Sequence, residues 1–243
     1  MKIRQTSLAA VVAAVAMGAA LVPAAAAEPA GRTYAPGPFD RLQFSGAANV
    51  RFVQGDRDEL FIEGDEATLQ GVQVGWQDGR LVVSQTGPWR FWTTPRLQMR
   101  VVARDLTQVV VSGAADFIAP EAVQLKNLEI QISGAGLANF HQLNAERLRF
   151  IVSGSGEGHF AGAVADLQVQ ISGRGEFVAP RLQAKVARVT VSGLGRVKVW
   201  ATEELNASLS GVGSIEYWGN PSRGNRRLSG VGSLQPRGET PPP

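Results

Sequence analysis

Three observations predict an all-β fold, a single-stranded parallel β-helix or solenoid with coils of about 20 residues marked by Ser-Gly-x-Gly corners. A Ser-Gly step stands at Ser112, Ser133, Ser153, Ser172, Ser192, Ser210 and Ser229, so successive copies lie 21, 20, 19, 20, 18 and 19 residues apart. Ahead of each serine the side chains alternate. Val111, Ile132, Val152, Ile171, Val191, Leu209 and Leu228 stand one place before it, and Val109, Ile130, Phe150, Val169, Val189 and Ala207 three places before, with Arg226 breaking the second column. Alternation is the period of a strand, and alternation nested in a longer period describes strands repeated in stacked turns, none of which can bury its inner face alone. Lastly, the chain carries no amphipathic helix of useful length. An antiparallel sandwich would also alternate, but it leaves the long spacing of the glycines unexplained.

Taken in order, Met1 to Ala27 reads as a signal peptide, with Lys2 and Arg4 before an Ala- and Val-rich run and Ala25-Ala26-Ala27 as the cleavage site. Glu28 to Pro38 is rich in Pro, Gly and Ala and is expected as a flexible lead-in. The β-helix domain is expected over 39–236. Phe39 to Phe52 is an early copy of the repeat around Ser45-Gly46, 67 residues before the next. Between them Leu60 to Ile62, Val72 to Val74, Leu81 to Ser84 after the Asp78-Gly79 turn, and Leu97 to Val102 read as short strands. From Leu106 onward the regular coils follow. Glycine is expected at the corners because it reaches φ > 0 without a steric penalty. Arg226, Arg227 and Pro236 are expected to blunt the last coil, since an open edge would pair with another chain. Residues 237–243 are expected as a disordered tail.

Composition narrows the function. The 243 residues include no cysteine, which removes disulfides, thiolate metal ligands and lipid attachment. Once the signal segment is cut, 22 basic face 21 acidic residues, too even a balance for a nucleic-acid binder. The expected product is exported, periplasmic or extracellular, without a membrane span and without a cofactor.

The Ser-Gly of Phe39 to Phe52, the Asp78-Gly79-Arg80-Leu81 turn into a strand, the entry from Leu106 to Ser112 and the serial Ser-Gly-x-Gly corners together resemble the putative auto-transporter adhesin, head GIN domain family. The resemblance covers roughly Phe39 to Ser233. It implies a β-helical exported domain with an adhesin-like role, and it brings no catalytic motif. Trp89-Arg90-Phe91-Trp92 is heavier in aromatics than the family's linker at that place.

Four constellations could carry chemistry. Trp89, Arg90, Phe91 and Trp92 could stack on sugar rings or anchor a partner, or could fold over the open N-terminal edge. Trp200 and Trp218 stand eight places after their serines, hence one above the other, with Tyr217 beside them; such a ladder is either a carbohydrate platform or packing between like residues. Glu157 and Glu176 face each other across one coil step, a weak metal site or an acid and base for a polysaccharide-active enzyme, with Arg174 and Arg196 supplying a plainer charge-pairing explanation. His141 and His159, the only histidines, occupy different places in the repeat and make a poor metal site. The sequence thus reads as a non-enzymatic binding or structural module of the cell envelope. Its expected partners are a glycan or an envelope protein, with self-association through coil edges as a further expectation.

Overall fold

The computed structural model describes residues 30–85 and 96–242. Strands β1 (Gly31–Tyr34), β2 (Arg41–Ser45), β3 (Ala47–Gln54) and β4 (Glu59–Glu63) precede one helical turn, α1 (Glu66–Gln70), and β5 (Val72–Gln77), β6 (Arg80–Gln85), β7 (Leu97–Ala103) and β8 (Gln108–Val111) follow it. Five long bent strands then wind the solenoid: β9 (Ala114–Ile132), β10 (Ala135–Val152), β11 (Ser155–Ile171), β12 (Arg174–Val191) and β13 (Leu194–Leu209). Three short strands end it, β14 (Val212–Trp218), β15 (Arg226–Leu228) and β16 (Val231–Pro236).

The long strands pair in parallel, each with the next, in a register that follows the serine count. Ala114, Ala135, Ser155, Arg174, Leu194, Val212 and Val231, each two places after a serine, stack in one column. Between strands the ladder continues through the Ser-Gly bends: Ser153 N–H donates to the Ile132 carbonyl at 3.0 Å and Ser155 N–H to that of Gly134 at 2.8 Å, and the pattern recurs turn after turn.

Of the recurrent corner glycines, Gly46, Gly213 and Gly232 take the positive φ expected, but the regular Ser-Gly steps have a different cause. Gly113, Gly134, Gly154, Gly173, Gly193, Gly211 and Gly230 are not in the left-handed region. A Cβ on any of them would instead lie 1.9–2.1 Å from the carbonyl oxygen of the glycine one turn below. The bend is a place where backbone rests on backbone, and only hydrogen fits between.

Inside, the columns one and three places before the serines are buried from Val109 to Leu209, while Arg226 and Leu228 of the last turn are exposed, and the positions five and seven places after the serines are buried from Phe117 to Tyr217. Five phenylalanines from successive turns form a spine, Phe52, Phe117, Phe140, Phe160 and Phe177, with ring centroids 5.7, 5.7, 5.4 and 5.3 Å apart. The spine changes column as it climbs. Five places after the serine stand Phe117, Ala138, Gly158 and Phe177, and seven places after it stand Ala119, Phe140, Phe160 and Ala179. Each turn thus holds one ring and one small residue, keeping the core volume of a turn constant. At Gly158 the compensation is complete: a Cβ there would meet Phe150 Cζ at 2.8 Å and Phe160 Cε2 at 2.9 Å.

The N-terminal end departs from chain order. The coil of β2 and β3 lies second in the stack, with β6 and β7 on one side of it and β8 and β9 on the other. Copies 67 residues apart are thereby neighbours, and Ser112 N–H donates to the Phe44 carbonyl at 2.9 Å. The outer edge of the β6/β7 coil is covered by antiparallel strands, β5 on β6 and β4 on β7, with β1 on β4. The flexible lead-in expected over Glu28 to Pro38 is corrected by β1, whose residues complete this cap. Gly31 lies against the Phe61 ring, where a Cβ would come within 2.5 Å of it. Residues 237–243 also begin in order rather than as a disordered tail: Arg237 N–H donates to the Tyr217 carbonyl at 2.8 Å, and the Gly238 carbonyl accepts from Gly219 N–H at 2.9 Å.

These contacts predict the cost of a methyl group. Gly173→Ala should destabilise the fold by about 3 kcal/mol, because the obstacle is backbone, and Gly158→Ala by about 1–3 kcal/mol, because two rings must shift. Denaturant unfolding of both variants checks this, and the penalty of Gly158→Ala should shrink in a Phe160→Leu background.

Candidate functional site

The solenoid presents its outward residues in columns, and these columns make the surface sites. One side, opened by the bends that follow Phe140, Phe160 and Ala179, is concave. Gln124, Leu125 and Lys126 in β9, Asn144 to Glu146 in β10, Ala163 to Ala165 in β11, Gln183 and Lys185 in β12, and Thr202 and Glu203 in β13 line a groove of about 830 Å³ along the solenoid axis. Leu125 and Val164 are buried in its floor. The side chains of Ala163 and Ala165 end at Cβ, so the groove is lowest in its middle turn, and amides from Gln124, Asn144 and Gln183 stand along one wall. Five turns at about 4.8 Å per step make it about 19 Å long.

The groove's backbone is already engaged. β10, β11 and β12 are paired on both sides. At its lower end the Gln54 side chain takes the place of a missing strand, accepting from Gln124 N–H and donating to the Gln124 carbonyl, both at 2.8 Å. Recognition on this side therefore falls to side chains.

Around the groove, charges of successive turns neutralise one another. Arg149 donates to Glu129 at 2.8 Å, Arg188 to Asp166 at 2.7 Å, Arg196 to Glu176 at 3.3 Å and Arg237 to Glu216 at 2.8 Å. Burial pushes the Glu129 carboxyl upward, but hydrogen bonds from Gln108, Arg149 and Gln131 and the Arg149 charge together outweigh it and hold the group below its ordinary value. The Arg237 hydrogen bond does the same for Glu216.

The sequence-derived candidates fare differently. Trp89, Arg90, Phe91 and Trp92 lie outside the described residues; the N-terminal edge they were expected to cover carries β4 and β5. Trp200 and Trp218 do stack in register, but Tyr217 and Trp218 are each only 8 % exposed. Tyr217 belongs to the core, with Arg226 over its ring at 5.0 Å, which favours packing at the C-terminal end over a carbohydrate platform, the two readings the sequence left open. Glu157 and Glu176 are register partners, and Glu176 is engaged by Arg196 at 3.3 Å while Glu157 lies 3.8 Å from His159. Among the described residues no group of three or more His, Cys, Asp or Glu side chains could hold a metal ion. His141 and His159 do come together, lining one hollow of about 360 Å³ with Asn139 and Arg181, since His159 pairs with Asn139, two places before His141. Sequence reasoning missed the groove: its signal is only small and amide residues recurring ten to fourteen places after each serine.

A capped parallel solenoid whose middle turns are paired on both sides is a scaffold that offers columns of side chains. The chain belongs to the family described as Putative auto-transporter adhesin, head GIN domain, which it matches over residues 38–221. Its fold is that of a putative adhesin from Bacteroides fragilis, 22 % identical, covering 85 % of this chain and 96 % of that one with a TM-score of 0.81. A putative adhesin from Parabacteroides merdae is 19 % identical over 85 % of this chain and 95 % of that one, with a TM-score of 0.64. A protein of Parabacteroides distasonis described as a putative lipid-binding protein is 20 % identical over 87 % and 97 %, with a TM-score of 0.62. No curated protein matches the chain. No described helix is long and apolar enough to cross a membrane.

The depressed Glu129 carboxyl has a pH signature. Its stabilising contribution is complete above the ordinary glutamate value of 4.5 and is lost as pH falls through the lower folded value. Melting temperature measured between pH 7 and 2 should therefore fall more steeply for the wild type than for Glu129→Gln once pH drops below 4.5.

Proposed function

We propose that this protein is an exported, non-enzymatic binding module of the cell envelope, adhesin-like in role, that holds a glycan lengthwise in the groove between Gln124 and Glu203. The observation that carries this reading is the groove itself, a side-chain-lined track of about 830 Å³ across five turns of the solenoid. An extended peptide that binds by adding its backbone to a sheet needs a free strand edge, and β10, β11 and β12, the middle turns of the groove, are paired on both sides. Hydroxyl-rich chains need what the groove does offer, amide donors and acceptors spaced along a line. Membership of an adhesin family and the signal-like segment Met1 to Ala27 support export. A polysaccharide-active enzyme built on Glu157 and Glu176 is less well supported, since Arg196 already occupies Glu176.

The aromatic segment Trp89, Arg90, Phe91 and Trp92 is proposed as a second contact for the same partner. Glycan-array screening followed by calorimetry tests both surfaces. Ala165→Trp, which fills the low middle of the groove, should weaken binding at least about tenfold without changing the melting temperature. Binding untouched by Ala165→Trp but lost when Trp89, Phe91 and Trp92 become alanine would move the site to the aromatic segment.

A further inference from the structure

We propose that the groove selects linear glycans carrying acidic groups, with Lys126 and Lys185 as the two anion contacts. This rests on the reading of the groove as the glycan-binding surface and names the ligand's charge.

The argument is one of charges left unused. Along the columns that follow the groove in each turn, successive turns neutralise one another at 2.7–2.8 Å, through Glu129 and Arg149 and through Asp166 and Arg188. Among the described residues the side chains of Lys126, Glu146 and Lys185 form no ion pair and no hydrogen bond, although all three line the groove. Lys126 and Glu146 even occupy neighbouring places in adjacent turns, bracketed by the pairs Leu125 with Ala145 and Asn127 with Arg147, and still do not meet. Glu203, the other ionic group of the lining, is taken up by Arg223 at 3.5 Å. The groove is thus left with two free ammonium groups and one free carboxylate.

The three are not equivalent. Only Lys126, Lys185 and Lys198 are lysines in the whole chain after Lys2, against 20 arginines, so two of the three lie in this one groove. An ammonium on a flexible stem is a point charge with three rotatable donors, suited to a carboxylate or sulfate presented at variable angles, whereas arginine is used here for fixed bonds between turns. Lys126, Glu146, Ala165 and Lys185 follow one another in register, so the two lysines are three turns apart, about 14 Å. Between them, Glu146 can accept sugar hydroxyls and Ala165 leaves room for the ring that carries them. The groove therefore fits a chain whose acidic groups fall at both ends of a neutral stretch about 14 Å long.

The test uses the mature chain and three calorimetric probes: an oligouronate long enough to fill the groove, the same chain with its carboxyls reduced, and that neutral chain sulfated. The oligouronate should bind at least about tenfold more tightly than the neutral chain. That preference should collapse in Lys126→Gln/Lys185→Gln and in high salt, and persist in Lys198→Gln. Binding of the sulfated chain as well would support negative charge itself as the recognised feature. Equal affinity for the neutral chain, a charge preference that survives the double substitution, or binding of none of the three probes would overturn the proposal. A neutral chain bound as well as the oligouronate and lost in Ala165→Trp would overturn only the charge selectivity and leave the groove as the glycan site.

Discussion

The structure depends on one contact, the seating of each bend's backbone directly on the bend below. With a carbonyl oxygen where a Cβ would stand, Gly134, Gly154, Gly173 and Gly193 fix the distance between turns at the spacing of a hydrogen-bonded sheet. Once that pitch is set at one corner, every column around the turn is set with it. The phenylalanine spine, the charge pairs and the groove all inherit their spacing from a position that has no side chain.

The interior and exterior then obey opposite rules. Inside, volume is conserved turn by turn, so Phe160 can exist only beside Gly158 and Phe177 only beside Ala179. Outside, no such bookkeeping applies, and a column may hold Asp116, Leu137, Glu157, Glu176 and Arg196 in succession. Because β10, β11 and β12 are paired on both sides, specificity on those turns is written in side chains. That is why a run of alanines matters: a low place on a solenoid is made by omission.

Most of the architecture was legible in the residues. Serine spacing placed Glu157 opposite Glu176 and Trp200 opposite Trp218, since a repeat in register is a statement about space. What remained hidden depended on chain crossings or on depth. Nothing local in Phe39 to Gln54 shows that this coil lies between two later ones, and nothing local in Gly31 to Tyr34 shows a partner in β4. For the aromatic ladder, register says which residues stack but not whether their faces are open, so the sequence left platform and packing both standing; Trp218 is covered. The histidines stand at different places in the repeat, as counting has them, yet His159 pairs with Asn139, only two places from His141, so one hollow holds both. The groove was hardest to see, being a pattern of short side chains with no chemical signature of their own.

The displaced first coil also sets an order of events. Arg41 has its strand partners at Arg80 and Gln108, 39 and 67 residues farther along the chain. A chain delivered from its N-terminus therefore presents β2 and β3 long before either neighbour has arrived, whereas each turn from β10 onward finds its template already in place. Closing such separations costs chain entropy before any contact rewards it. The slow step of assembly belongs to the segment up to Ser112, and the regular turns add behind it in sequence, each laid on the last.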